Sequence, residues 1–143
     1  MRAFYTIGYE GTSPRQLIGI LERQNVLLLV DIRSNPWSRI RGFSRKKLTE
    51  ILPRNGIEYI HEPLLGTPQR IRQNYCRTGN VKLALARYRE YLRGHLDRLE
   101  LLKESVNGRT LCFLCLERDW RACHRSVVAE EFTQISGWRA VHL

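Results

Sequence analysis

Val26-Leu27-Leu28-Leu29-Val30-Asp31-Ile32 is the segment that most limits what this chain can fold into, because only Asp31 interrupts an otherwise apolar run. A strand with one face in water alternates polar and apolar residues, whereas a strand without alternation must be covered on both faces. The run is too short for a buried helix and is rich in Leu and Val, so it predicts a central strand between two helical layers.

The flanking segments fit that frame. Phe4 to Gly8 reads as a strand, and Tyr9-Glu10-Gly11-Thr12 as the turn that leaves it. A helix follows, with Ser13 as cap, Pro14 at the first helical position, Gln16 completing a capping box, and Leu17, Ile18 and Leu21 as its apolar stripe. A second helix begins at Ser44, where Phe43 and Leu48 are spaced for a hydrophobic staple, and ends at Pro53 and Asn55-Gly56. Ile57 to His61 alternates as a third strand, and residues 63–80, with two prolines, two glycines and several arginines, read as a long loop. One long helix is expected from Val81 to Val106, on the spacing of Leu85, Tyr88, Leu92, Leu99, Leu102 and Val106. Thr110 to Leu116 is an apolar fourth strand, a helix covers about 126–135, and Trp138 to Leu143 is the last strand. Strands alternating with helices predict a single α/β domain over 1–143: a mostly parallel sheet of about five strands with helices on both faces. Right-handed crossovers then bring all strand carboxyl ends to one edge.

That edge is where open parallel sheets bind ligands. The residues expected there are Tyr9 and Glu10, then Asp31, Arg33 and Ser34, then His61 and Glu62, then Cys115 and Glu117, and finally His142. Exposed strand ends are polar in any protein, but five consecutive ends bearing donors, acceptors or titratable groups favour a site. Asp31 has two readings: a carboxylate that caps the following loop and pairs with an arginine, or one held at low dielectric for orienting a substrate or acting as a base.

Cys115 to Ser126 joins the fourth strand to the next helix. A helix start offers free N–H groups and partial positive charge, so Arg125, with Ser126 as a possible cap, is expected to form an anion-binding wall. Nearby cations would favour the thiolate of Cys115 or Cys123. A zinc site built from Cys112, Cys115, Cys123 and His124 is not expected, because Cys112 and Cys115 are three apart on a strand and point to opposite faces. No metal and no cofactor are expected.

Between Asp31 and Glu50 there is no acid and there are six cations: Arg33, Arg39, Arg41, Arg45, Lys46 and Lys47, with Trp37 and Phe43 interleaved. Arginines next to aromatic platforms suit phosphate contact and base stacking, and Arg70, Arg72 and Arg77 extend the basic set. The formal charge of +10 points to a polyanion as partner, with nucleic acid, DNA foremost, the expected one. No apolar run is long enough to span a bilayer and the first residues lack a secretion signal, so a cytoplasmic setting with free thiols and no membrane partner is expected.

Thr6-Ile7-Gly8-Tyr9-Glu10-Gly11, Val30-Asp31-Ile32-Arg33 with Pro36 and Ser38-Arg39, Gly56 to His61 with Leu65-Gly66, Cys115-x-Glu117 and Cys123-His124-Arg125 occur in this order over nearly the whole chain. The combination resembles the Domain of Unknown Function 488 family. The resemblance places Tyr9, Glu10, Asp31, Arg33, Arg39, His61, Glu117, His124 and Arg125 at family motif positions. The chain departs from the family at Thr67, where a second glycine is usual. Members are often labelled as putative DNA-repair proteins, so the resemblance implies a DNA-processing role. A weaker likeness to rhodanese-like sulfurtransferases and cysteine phosphatases rests on Cys115, Arg125 and the Asp31-x-Arg33 pair. Nine residues separate Cys115 from Arg125, a longer loop than the tight cradles of those families.

The expected function is therefore action on nucleic acid. Glu10, Asp31, His61, Glu117 and His124 are the candidate catalytic residues, and Tyr9, Arg33, Ser34, Trp37, Arg39, Arg41, Cys115 and Arg125 the candidate substrate contacts. A Cys115-dependent transferase and a non-catalytic nucleic-acid-binding module are the alternatives.

Overall fold

The computed structural model describes residues 2–143. Five strands, β1 (Ala3–Gly8), β2 (Val26–Asp31), β3 (Glu58–His61), β4 (Thr110–Cys115) and β5 (Arg139–His142), form one sheet in the order β3-β2-β4-β1-β5. Every neighbouring pair is parallel. The predicted α/β class with a parallel five-stranded sheet is the observed one.

Side-chain alternation divides the core. Helices α1 (Pro14–Arg23) and α2 (Arg45–Arg54) bury Leu17, Leu21, Leu48 and Leu52 against Ile7, Leu29, Cys112 and Leu114 on one face of the sheet. On the other face α4 (Val81–Arg93), α5 (Leu96–Ser105) and α6 (Arg125–Ser136) bury Tyr88, Leu92, Leu99, Val128 and Phe132 against Phe4, Leu28, Val30 and Phe113. Each leucine buried this way contributes about 1.5–3 kcal/mol. Leu27 is the exception to the doubly covered β2: a register irregularity between Val26 and Leu28 turns it to solvent. The capping box at Ser13 and Gln16 forms as expected, and both residues of the staple, Phe43 and Leu48, are fully buried.

Two expectations fail. Residues 63–80 are not a loop: a 3-10 turn, Pro63–Leu65, leads into α3 (Gln69–Thr78). Only Ile71 of α3 is buried, so the helix lacks the apolar stripe by which a helix is recognised in sequence. The expected helix over 81–106 is two helices, broken at Gly94 and His95. Leu92 and Leu99 face the same core on either side of the break, so helical periodicity runs through it and hides it.

β2, β4 and β1 are adjacent, yet the chain leaves β1 and β2 toward α1 and α2 and leaves β4 toward α6. Connections that diverge to opposite faces open a crevice at the carboxyl ends. Gly8 pairs with Cys115 and Asp31 with Leu114 and His61, so the ends of β1, β4, β2 and β3 stand level at that crevice.

Candidate functional site

The β2 end is built on a buried ion pair. Asp31 Oδ1 accepts from the backbone N–H of Arg33 (3.1 Å) and from its Nε (2.9 Å). Oδ2 accepts from Arg33 Nη2 (2.7 Å) and from the Tyr59 hydroxyl (2.5 Å). Both carboxylate oxygens are thus saturated, which is the geometry of the loop-capping, arginine-pairing reading and leaves no lone pair placed for a base. Burial alone would weaken Arg33 as a base, but the Asp31 carboxylate outweighs it and raises its pKa further above the usual arginine value. Burial, and then the Asp31 charge, likewise pushes the Tyr59 hydroxyl well up.

Arg33 Nη1 donates to the Tyr9 hydroxyl at 3.1 Å, and that hydroxyl donates to Ser38 Oγ at 3.0 Å. The Tyr9 ring is buried and stacked on Phe43 at 4.4 Å, so its faces are not open for base stacking. His61 Nε2 donates to the Arg33 carbonyl (2.7 Å) and His124 Nε2 to the Ile32 carbonyl (2.9 Å). Both histidines hold the chain where it leaves β2. Glu10, exposed, accepts from the backbone N–H of Arg118 at 3.2 Å and ties the β1 turn to the β4 loop.

Arg125 is fully buried and works inward. Its Nη1 donates to the Glu117 carbonyl (2.6 Å) and to Cys115 Sγ (3.4 Å), and its Nη2 to the Arg118 carbonyl (3.1 Å). No carboxylate pairs with it among the described residues, and its Nε has no partner. The helix start beside it is not an open anion site. The Arg125 N–H donates to Cys123 Sγ (3.5 Å), and those of Ser126 and Val127 to the carbonyls of Cys123 and His124. Ser126 is not the cap: its hydroxyl donates back to the Cys123 carbonyl, and His124 occupies the cap position.

A cleft of about 270 Å³ opens over these groups. Tyr9, Arg33, Ser34, Trp37, Cys115, Glu117 and His124 line it among the expected residues. Arg125, Asp31 and His61 support it from behind, while Arg39 and Arg41 lie on the loop beyond Trp37. The opposite wall is Ile71, Arg72 and Tyr75 of α3 with Leu85 and Tyr88 of α4. Charge alone points to Arg72. Nothing in the sequence points to the apolar wall, whose residues carry no motif and belong in part to a helix without an apolar stripe. Thr67, the departure from the family pattern, also lines the cleft. Glu117 is the one carboxylate in the lining; it is exposed and makes no side-chain hydrogen bond.

Cys112 faces the α1–α2 layer while Cys115 faces the other, so Cys112 is excluded as a ligand partner for the reason read from its spacing. Cys115, Glu117 and Cys123 do converge, with ligand atoms all within 4.8 Å of one another. All four cysteines are free thiols.

Burial lowers the pKa of His124 below its usual 6.5, and burial with the Arg125 and Arg121 charges does the same for His142. A group with a depressed folded-state pKa contributes stability that is complete above its unfolded value and is lost as pH falls. The melting temperature is therefore expected to drop as pH falls below about 6.5, and the drop to shrink in His124→Gln. A melting temperature flat from pH 7.5 to 5 would contradict this assignment of both rings.

A sequence model of one protein family, described as "Domain of unknown function DUF488", matches residues 13–132 of the chain. Comparison with curated proteins and with solved structures finds no match. No helix among the described residues is long and apolar enough to cross a membrane.

Proposed function

The chain belongs to the DUF488 family, whose description carries no chemistry, and from the site itself we propose that it holds a strand of nucleic acid, DNA foremost, in the strand-end cleft and processes it there. The observation that carries this reading is a set of cations without counter-ions, of which Arg72 lines the cleft and the others lie along α3 and on the segment that follows Trp37. Arg39, Arg41, Arg45, Lys46 and Lys47 follow Trp37 in the chain, and Arg70, Arg72 and Arg77 lie on α3. Among the described residues none of them pairs with a carboxylate. Trp37, 66% exposed on the cleft lining, offers the open aromatic face that Tyr9 lacks. Free arginines beside an exposed indole suit a strand whose phosphates are neutralised while a base stacks.

In this reading Arg72, Arg39 and Arg41 contact phosphates and Trp37 stacks. The spare N–H donors of Arg33 meet the ligand in the cleft, and Glu117, free of internal bonds, serves as the base. His124 and Asp31 act through others, as positioning residues. A cytoplasmic setting accords with four unpaired thiols.

Fluorescence anisotropy with labelled single-stranded and duplex DNA and RNA, at several salt concentrations, tests the reading. Removing three phosphate contacts in Arg39→Ala/Arg41→Ala/Arg72→Ala is expected to flatten the log–log salt dependence by about 2 for a single strand. Trp37→Ala is expected to cost about 1–3 kcal/mol of binding with the slope unchanged. Absence of salt-sensitive binding to every nucleic acid tried sinks the proposal.

The cysteine-dependent alternative is favoured by Cys115 lining the cleft with Arg125 Nη1 at 3.4 Å. Against it, Arg125 is surrounded by carbonyls of the 115–125 loop, so a cradle of inward N–H groups for a phosphate is not formed there. Cys115→Ser separates the two: it abolishes sulfur or phosphoryl transfer under the alternative and leaves nucleic-acid binding intact under the first reading.

A further inference from the structure

We infer that Cys115, Glu117 and Cys123 form a binding site for a thiophilic divalent cation of the zinc type at the floor of the cleft. Arg125 is 0% exposed and has no carboxylate partner among the described residues, and a buried cation without counter-charge is costly. Two thiolates and the Glu117 carboxylate carry three negative charges. One divalent ion and the Arg125 guanidinium carry three positive charges, so the loaded site is neutral.

The donors around the sulfurs fit the same state. Cys115 Sγ receives Arg125 Nη1 at 3.4 Å and Cys123 Sγ receives the backbone N–H of Arg125 at 3.5 Å. Each sulfur thus has an N–H aimed at it, which suits a metal-bound thiolate once the proton has left. His124 sits at the edge of the cluster with Nδ1 at 3.7 Å from Cys123 Sγ. Because its Nε2 donates to the Ile32 carbonyl, the neutral ring turns its Nδ1 lone pair toward Cys123 Sγ. An imidazole oriented through its other nitrogen by a carbonyl is the usual support of a metal centre.

Soft sulfur donors with a carboxylate select zinc-like ions over magnesium or calcium. Cys115, Glu117 and His124 all line the cleft, so the ion enters from it, and three protein ligands leave a coordination position for water or substrate. On binding, two S–H bonds are replaced by two sulfur–metal bonds and the two protons pass to solvent.

The site stands apart from the nucleic-acid reading: Glu117, the base in that reading, is a ligand when the ion is bound, and the test contains no nucleic acid. Cobalt(II) is added to the reduced full-length chain and followed by absorption. One equivalent per chain is expected to give thiolate-to-cobalt charge-transfer bands and strong tetrahedral bands, both lost in Cys115→Ser and in Cys123→Ser and retained in Cys112→Ser. Glu117→Gln, at an exposed position that carries no packing, is expected to weaken binding at least about tenfold, the loss that even supporting residues produce. It keeps the test decisive if a cysteine variant unfolds by circular dichroism. No thiolate–cobalt absorption at saturating metal, bands that survive both serine substitutions, or an unchanged affinity in Glu117→Gln would each overturn the inference.

Discussion

Gly8→Ala is expected to destabilise the protein by about 3 kcal/mol or more, at or beyond the upper end of ordinary overpacking. Gly8 ends β1 opposite Cys115, and a Cβ there would stand 1.7 Å from the Glu117 carbonyl oxygen and 2.3 Å from Arg125 Nη1. Neither obstacle is the free end of a flexible side chain. The carbonyl is backbone, and the guanidinium is held by two carbonyls and a sulfur. The methyl group must therefore push β1 away from the β4 loop or tear Arg125 from its acceptors inside the core. Urea denaturation should show a lower midpoint with an unchanged slope. An unfolding free energy within about 0.5 kcal/mol of the parent protein would mean that the β4 loop does not pass over Gly8 as described. The same displacement moves Cys115 and Glu117, so cobalt binding and nucleic-acid binding should fall with stability.

Asp31→Asn should cost about 3–5 kcal/mol, because it strands the Arg33 guanidinium, 7% exposed, without its counter-ion. The amide also cannot accept all four hydrogen bonds that the two carboxylate oxygens take. Arg33→Met added to Asp31→Asn removes the stranded charge, so the double variant should regain part of the loss. That pattern distinguishes an uncompensated charge from a packing defect, which a second substitution would deepen. Equal or greater instability in the double variant would show that the pair does not act as a buried ion pair. Loss of stability here should be accompanied by loss of ligand binding, since Arg33 also anchors Tyr9 and, through it, Ser38.

How much of the site was legible depended on where each cue resides. The ends of β1, β2, β3 and β4 could be read because a parallel sheet places them by topology alone, and of the residues expected there Tyr9, Arg33, Ser34, Cys115 and Glu117 line one cleft. What each does could not be read. Asp31 reads in sequence as a loop cap paired with an arginine or as a base, and Tyr9 as a substrate contact; in the fold Asp31 is saturated by Arg33 and Tyr59 and the Tyr9 ring is packed on Phe43. Arg125 looks like an anion-binding residue and instead knits the β4 loop from within. The α3 wall leaves no mark in the sequence because a helix that buries a single residue, Ile71, shows no periodicity.

The α/β class, a mostly parallel sheet of about five strands, and the separation of Cys112 from Cys115 are all written in the local pattern of the chain. Those follow from the period of two along a strand and from the handedness of crossovers, both properties of local chain geometry. Which titratable groups remain free, that Cys115, Glu117 and Cys123 meet, and that Arg125 is buried without a carboxylate among the described residues emerge only when the elements pack together. Those are questions of distance between residues far apart in the chain, settled by how the 115–125 loop folds back under β1 rather than by any pattern within it.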